Sequence, residues 1–151
     1  MAKIQTHELP HDLLAEKSLL GCLLIDHIAY DQMVEVQLTA EDFYDPRLAV
    51  VFTAIRDLRF QSVVVDFISV CSKLGDLGKL EWVGGQGFVL GLIEEQASAA
   101  NVVHYARTVK DKSLLRQIIR SAVTVIENSG TFNGSVQDYV SDVEASFFKL
   151  T

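Results

Sequence analysis

The sequence predicts an all-α protein, a small multi-helix head followed by a C-terminal helical hairpin. Three observations carry that expectation. Apolar residues recur at three- and four-residue intervals along most of the chain, the period of a helix rather than a strand. Residues that cap helix N-termini stand ahead of nearly every such run. The one strand-like run, Val63-Val64-Val65, is three residues long and reads as an extended link.

In chain order, residues 1–9 are polar and poorly patterned and are expected to form a flexible tail ending at Pro10, with the helical head spanning 10–100. Asp12 is placed to cap a helix through Leu13, Leu14, Leu20, Leu23 and Leu24. Gly21 within it admits close approach of another element at a propensity cost of about 1 kcal/mol. A short helix follows around Ile28, Met33 and Val34. Thr39 then precedes Ala40-Glu41-Asp42 as a cap with an acidic first turn, and Pro46 sits where it opens a helix carrying Leu48, Val51, Phe52, Ile55 and Leu58. Asp66 caps the next, expected to bury Phe67, Ile68, Cys71 and Leu74 and to stop at Gly75. Gly78, Gly84, Gly85, Gly87 and Gly91 punctuate the following stretch, where Phe88, Val89, Leu92 and Ile93 supply one more apolar helix face. Ser98-Ala99-Ala100-Asn101 is the last break of the head, with Ser98 or Asn101 as cap.

Residues 101–151 read as the hairpin. Val102, Tyr105, Ala106, Val109, Leu114, Leu115, Ile118, Ile119, Ala122, Val123 and Ile126 form a helical stripe from Asn101 to Asn128, roughly 42 Å of helix at 1.5 Å per residue. The turn Asn128 to Gly134 breaks it, with Gly130 as a natural C-terminal cap, and Ser135 caps a return helix bearing Val136, Tyr139, Val140, Val143, Phe147 and Leu150. So much apolar surface on one hairpin exceeds what a small head covers. Self-association is therefore expected through Leu115, Ile118, Ile119, Ala122, Val123 and Ile126 on the first helix and Val136, Tyr139, Val140, Val143 and Phe147 on the second, with a dimer as the simplest product.

At 151 residues and 49% hydrophobic, the chain is long enough for one domain with a real core. A net charge of -7 argues against broad nonspecific binding to nucleic acid or anionic lipid, direct binding of single-stranded DNA included. The charge is uneven. Between Ser98 and Arg120, five basic residues (Arg107, Lys110, Lys112, Arg116, Arg120) meet one acid, Asp111, a balance of +4 that leaves -11 for the remainder. This run reads either as a solvated helix face or as a docking surface for an acidic partner. Cys22 and Cys71 have neither metal-ligand spacing nor a secreted framework around them and read as buried thiols in a reducing compartment. With no early apolar run long enough to span a bilayer and no basic stretch leading into one, the cytoplasm is the default location and no membrane partner is expected.

Candidate chemistry is sparse. Gly85-x-Gly87-x-x-x-Gly91 resembles a dinucleotide loop only superficially, because Leu80 to Val83 is a poor strand and no acid follows at the distance needed to hold a ribose. No glycine-rich run ends in the lysine and hydroxyl that a phosphate cradle needs. His7 and His11 flank Pro10 without a third ligand, and His27 and His104 lie beside helical stripes with no adjacent nucleophile. Glu41-Asp42 and Glu94-Glu95 sit at helix ends, where acids need no catalytic explanation. Phe43, Tyr44, Phe52, Trp82 and Phe88 are not interleaved with basic residues and read as core. No catalytic residue, cofactor-binding residue or metal ligand is assigned.

Taken together, certain residues closely resemble a known family. They are Pro10-His11-x-x-x-Ala15-Glu16-x-x-x-Leu20-Gly21-x-Leu23-Leu24, then Glu41-Asp42-Phe43-Tyr44, Phe52-x-Ala54-Ile55 and Gly84-Gly85, then Ser98-Ala99-Ala100-Asn101-Val102-x-x-Tyr105-Ala106-x-x-Val109-Lys110 and Leu114-Leu115-Arg116. In that order and spacing they resemble the N-terminal domain of bacterial replicative DNA helicases of the DnaB type, over roughly Pro10 to Ile126. The resemblance departs at Leu48, where relatives commonly carry histidine, and at Val64, where a proline is frequent. It implies an all-helical head with a protruding hairpin that pairs with a neighbour's, forming a collar on a hexameric ATP-driven motor where primase engages. On that implication the basic run Arg107, Lys110, Lys112, Arg116 and Arg120 becomes the electrostatic part of primase docking. The family's ATP, magnesium and DNA-motor residues find no counterpart positions here, so the chain is expected to be the N-terminal domain alone and not itself an enzyme. A freestanding helical adaptor or regulator is the competing expectation. A reading frame running past Thr151 into a glycine-lysine-threonine phosphate loop separates the two.

Overall fold

The computed structural model of the chain describes residues 9–95 and 101–150, and every described element is helical. The helices are α1 (Leu13–Ile25), α2 (Ala29–Met33), α3 (Pro46–Phe60), α4 (Phe67–Asp76), α5 (Leu80–Val83), α6 (Gly85–Glu94), α7 (Val102–Gly130) and α8 (Val136–Phe148). Single 3₁₀ turns, Val34–Val36 and Ala40–Asp42, link α2 to α3. The residues expected to form a flexible tail lie almost wholly outside the described residues, as does Ser98.

Local chemistry starts these helices where the sequence indicates. The Asp12 carboxylate accepts from the Ala15 amide, Asp66 and Ser69 exchange side-chain and amide bonds, and the Ser135 hydroxyl accepts from the Asp138 amide. Pro46 opens α3, its missing N–H being one that a first turn leaves unpaired in any case. Asn101 precedes α7 without a side-chain cap bond, and α7 runs on through Asn128 to Gly130. Val63 to Val65 is neither helix nor strand and links α3 to α4.

The core is layered around α1, which packs against α3, α6 and α7, while α3 also carries α4 and α5. Leu19, Leu20 and Cys22 from α1, Leu48, Phe52 and Ile55 from α3, Val70 and Leu74 from α4, and Val89 from α6 are fully enclosed. Burial of Cys22 pushes its thiol up to about 11, so it behaves as a small hydrophobe. Val102, Ala106 and Val109 of α7 belong to the same core. Burying each leucine, isoleucine, valine or phenylalanine side chain of this core contributes about 1.5 to 3 kcal/mol.

Two expected core residues lie outside. Ile68 is exposed because Phe67, Val70, Cys71 and Leu74 set the inward face of α4, and Ile68 points away from it. Trp82 is exposed as well. In the single turn of α5, Val83 takes the inward position, and the Lys79 ammonium lies 5.2 Å from the Trp82 ring centre.

Candidate assembly surface

α7 is 29 residues long, about 44 Å, and it changes role along its length. Its first half points Val102, Ala106, Val109, Ser113 and Arg116 into the head at alternating four- and three-residue steps. Past Arg116, no residue of α7 or α8 is buried. From Leu115 on, Leu115, Ile118, Ala122 and Ile126 form a second stripe on the side of the helix turned away from the head, with Leu115 and Ile118 each 45% exposed and Ile126 51%. Ile119 and Val123 are half-buried.

The return helix folds back on this second half. The Tyr139 hydroxyl donates to the Val125 carbonyl at 3.2 Å and lies 2.9 Å from the Ser129 hydroxyl. Its ring stacks on Phe132 with centroids 4.4 Å apart, which closes the turn. Tyr139, Val143 and Phe147 are half-buried, whereas Val136 and Val140 remain exposed. The hairpin thus has both apolar stripes that the sequence indicates and no core of its own beneath them.

The residues of the basic run differ in their surroundings. Arg116 is only 2% exposed. Its guanidinium donates to the Pro10 carbonyl at 2.9 Å and the Asp42 carbonyl at 2.7 Å, and it lies 5.6 Å from the Tyr44 ring centre. Lys110 donates to the Asp42 carboxylate at 3.2 Å and to the Gln37 carbonyl at 3.3 Å. Between them, the Ser113 hydroxyl donates to Asp42 Oδ1 at 2.7 Å. Lys110, Ser113 and Arg116 are spaced by threes, so one face of α7 delivers all three to the turn preceding α3. Arg116 is therefore fastened inside the head, and the half-buried Lys110 is fastened to the same turn. Arg107 and Arg120 are exposed and Lys112 is half-buried, but at 100° per residue these three project roughly 80° to 140° apart and form no single basic face.

Two acids of the quoted motifs organise this contact, Asp42 by receiving α7 directly and Glu16 by holding the turn that carries Asp42. Asp42 closes a capping box with Thr39, its carboxylate accepting from the Thr39 amide at 2.8 Å. Glu16, 1% exposed on the inward face of α1, accepts from the Tyr44 amide at 3.0 Å and the Asp45 amide at 3.2 Å. Burial raises its pKa, while those amides and the nearby Arg116 charge pull the other way. Arg116 in turn is lowered by its own burial, against the opposing pull of Glu16. An acid on a largely apolar helix, Glu16 on α1, is the hint that the sequence held.

His27 and His104 are exposed. Among the described residues no group of histidine, cysteine and acidic side chains fits a metal ion. Among them too, no helix is long and apolar enough to cross a membrane. A groove of about 370 Å³ between α1, α3 and the Val63–Val65 link has Tyr30, Arg59 and His27 in its walls, but Arg59 is already paired with Asp31 and lies over the Tyr30 ring.

Known proteins share both the sequence and the fold. A replicative DNA helicase DnaB from Leifsonia xyli is 34% identical over 94% of this chain, and replicative DNA helicase DnaC from Bacillus subtilis is 30% identical over 93%. In each case this chain spans 31% of the relative, so it corresponds to about a third of those proteins. The crystal structure of the N-terminal domain of DnaB helicase from Mycobacterium tuberculosis superposes with a TM-score of 0.88 at 31% identity, covering 95% of this chain and all of that one. A structure described as that of a DnaB-like replicative helicase and its interactions with primase superposes with a TM-score of 0.75 at 25% identity, over 93% of this chain and 32% of that one. The family model for the DnaB-like helicase N terminal domain matches residues 8–111, and the chain belongs to that family.

Proposed function

We infer that this chain is the N-terminal collar and docking domain of a replicative DNA helicase, acting through assembly and partner binding in the cytoplasm rather than through catalysis. The observation that carries the reading is the α7–α8 hairpin, whose two apolar stripes cover no buried residue. Residues Leu115, Ile118, Ile119, Ala122, Val123 and Ile126, with Val136, Tyr139, Val140, Val143 and Phe147, meet the same set on a second copy, since a two-fold interface is self-complementary. A dimer is the simplest product of the isolated chain, and a ring that of the full-length protein. ATP, magnesium and DNA belong to a motor domain outside this chain. Primase is the second partner, supported by family membership. Arg107, Lys112 and Arg120 supply the electrostatic part, Lys110 and Arg116 being engaged within the head.

Sedimentation equilibrium on Ile118→Asp tests the assembly reading. The substitution places a charge on the exposed stripe without touching the core. The expected outcome is a shift toward monomer with helix content and melting of the head unchanged. Association equal to that of the unaltered chain would reject the hairpin as the interface.

A further inference from the structure

We propose that the polar clasp around Asp42 is an angle-setting device, fixing the direction in which the α7–α8 hairpin leaves the head. Apolar contacts of α7 with the core end at Val109. From there to Arg116, the buried positions are polar, Ser113 and Arg116. Lys110 grips Asp42 and the Gln37 carbonyl, Ser113 grips Asp42 again, and Arg116 grips the Asp42 and Pro10 carbonyls.

The clasp joins three separate parts of the chain at one point on α7. One is the N-terminal strap, where His11 stacks on Tyr44 with ring centroids 4.1 Å apart and the Pro10 carbonyl takes Arg116. Another is the turn from Gln37 to Asp45, held to α1 by the Glu16 carboxylate. The last is α7 itself.

Charged hydrogen bonds suit this task better than apolar packing. Burying them costs desolvation, so they are a poor source of stability, but their geometry is directional and admits one register. A stiff helix held only by Val102, Ala106 and Val109 would pivot about those contacts, and the hairpin tip, some 20 residues beyond the last of them at 1.5 Å each, would amplify a small rotation into a large displacement. On the reading that the outer stripe pairs with another copy, the clasp fixes the angle at which copies meet. The device itself operates within one chain and stands whether or not hairpins pair.

Distance measurement between spin labels tests it in the full chain. Labels go on Gln61→Cys at the exposed end of α3 and Asn133→Cys in the hairpin turn, with Cys22 and Cys71 buried and protected. Labelled protein is diluted into excess unlabelled chain so that only the intrachain distance is read. Lys110→Met with Arg116→Met removes the charged fasteners while keeping bulk, and Arg116→Lys keeps the charge but loses the fork. The expected result is a distance distribution roughly doubled in width, or displaced, in the double variant and partly so in Arg116→Lys, with native thiol protection retained and only the melting temperature lowered. An unchanged distribution in both would overturn the proposal. Loss of thiol protection in both would overturn it too, because the clasp would then be a determinant of the head fold rather than of the hairpin's direction.

Discussion

Ser113 Oγ donates to Asp42 Oδ1 across 2.7 Å although 71 residues separate them, and both side chains are buried. The pair joins the middle of the longest helix to a 3₁₀ turn, and Lys110 and Thr39 converge on the same carboxylate. Its partners are unequal in consequence. Removing the hydroxyl takes one of several donors from a carboxylate, whereas removing the carboxylate strands all of them.

The first prediction follows from that inequality. Ser113→Ala should destabilise the chain by about 1.5 kcal/mol, the value of a hydrogen bond to a charged group. Asp42→Ala should cost about 3 kcal/mol, less than the full penalty for breaking a buried pair because Lys110 keeps some contact with water. Urea unfolding followed by helix signal measures both. Equal losses would mean that Lys110 and Thr39 contribute nothing at this site.

The second concerns pH. Burial raises the folded pKa of Glu16 above its ordinary 4.5, so the folded state holds that proton more tightly than the unfolded state. Its contribution to stability therefore grows as pH falls through the raised value toward 4.5 and fades as pH rises. Asp45 acts in the opposite sense: burial pushes it upward, but the hydrogen bonds from Arg47 outweigh that and leave it lowered, so its contribution is lost as pH falls. Comparison with Glu16→Gln isolates the first effect. The unaltered chain should gain stability relative to that variant as pH falls across the window, read from urea midpoints, and a constant difference would remove Glu16 as the source.

The starts of the helices were legible in the sequence because capping is chemistry within three residues: Asp12, Thr39, Asp66 and Ser135 needed no knowledge of the fold. The stripes of α7 and α8 were legible for the same reason, period being local. What was not legible is which way an apolar residue turns when its helix is apolar on several sides. Leu14, Ile68 and Trp82 fit the pattern and lie outside, because the neighbours that define inside come from distant parts of the chain. Arg116 is the sharpest case. Its acceptors lie 74 and 106 residues away, so its sequence context of basic residues spoke for a surface that the fold closes.

A third prediction separates two glycines by what a methyl group would meet. Gly84 joins α5 to α6 at φ +122°, and a Cβ there would stand 2.9 Å from Phe88 Cβ. Gly84→Ala should cost about 1 to 3 kcal/mol from backbone strain, with the close contact adding to it. Gly91 lies within α6 with nothing inside 4 Å of its Cβ position, so Gly91→Ala should stabilise by about 1 kcal/mol through helix propensity. Thermal melts of the two variants should move in opposite directions. A gain for Gly84→Ala would show that the turn relaxes freely.

The last prediction addresses primase docking through the charges that remain available. Arg107 and Arg120 are exposed and outside the clasp, so reversing both leaves its hydrogen bonds in place. They lie 13 residues apart, roughly 140° around the helix, too far round to grip one small acidic site together. Their expected effect is long-range attraction, which salt screens over about 10 Å at 0.1 M. Arg107→Glu with Arg120→Glu should therefore weaken binding of the cognate primase domain modestly at low salt and flatten its salt dependence, with affinities converging at high salt. Calorimetry over a salt series reads both quantities, with Arg56→Glu, an exposed arginine of α3, as a control. Unchanged affinity and slope would remove both arginines from primase docking, and a loss that persists at high salt would mean that one of the two makes a direct contact with primase.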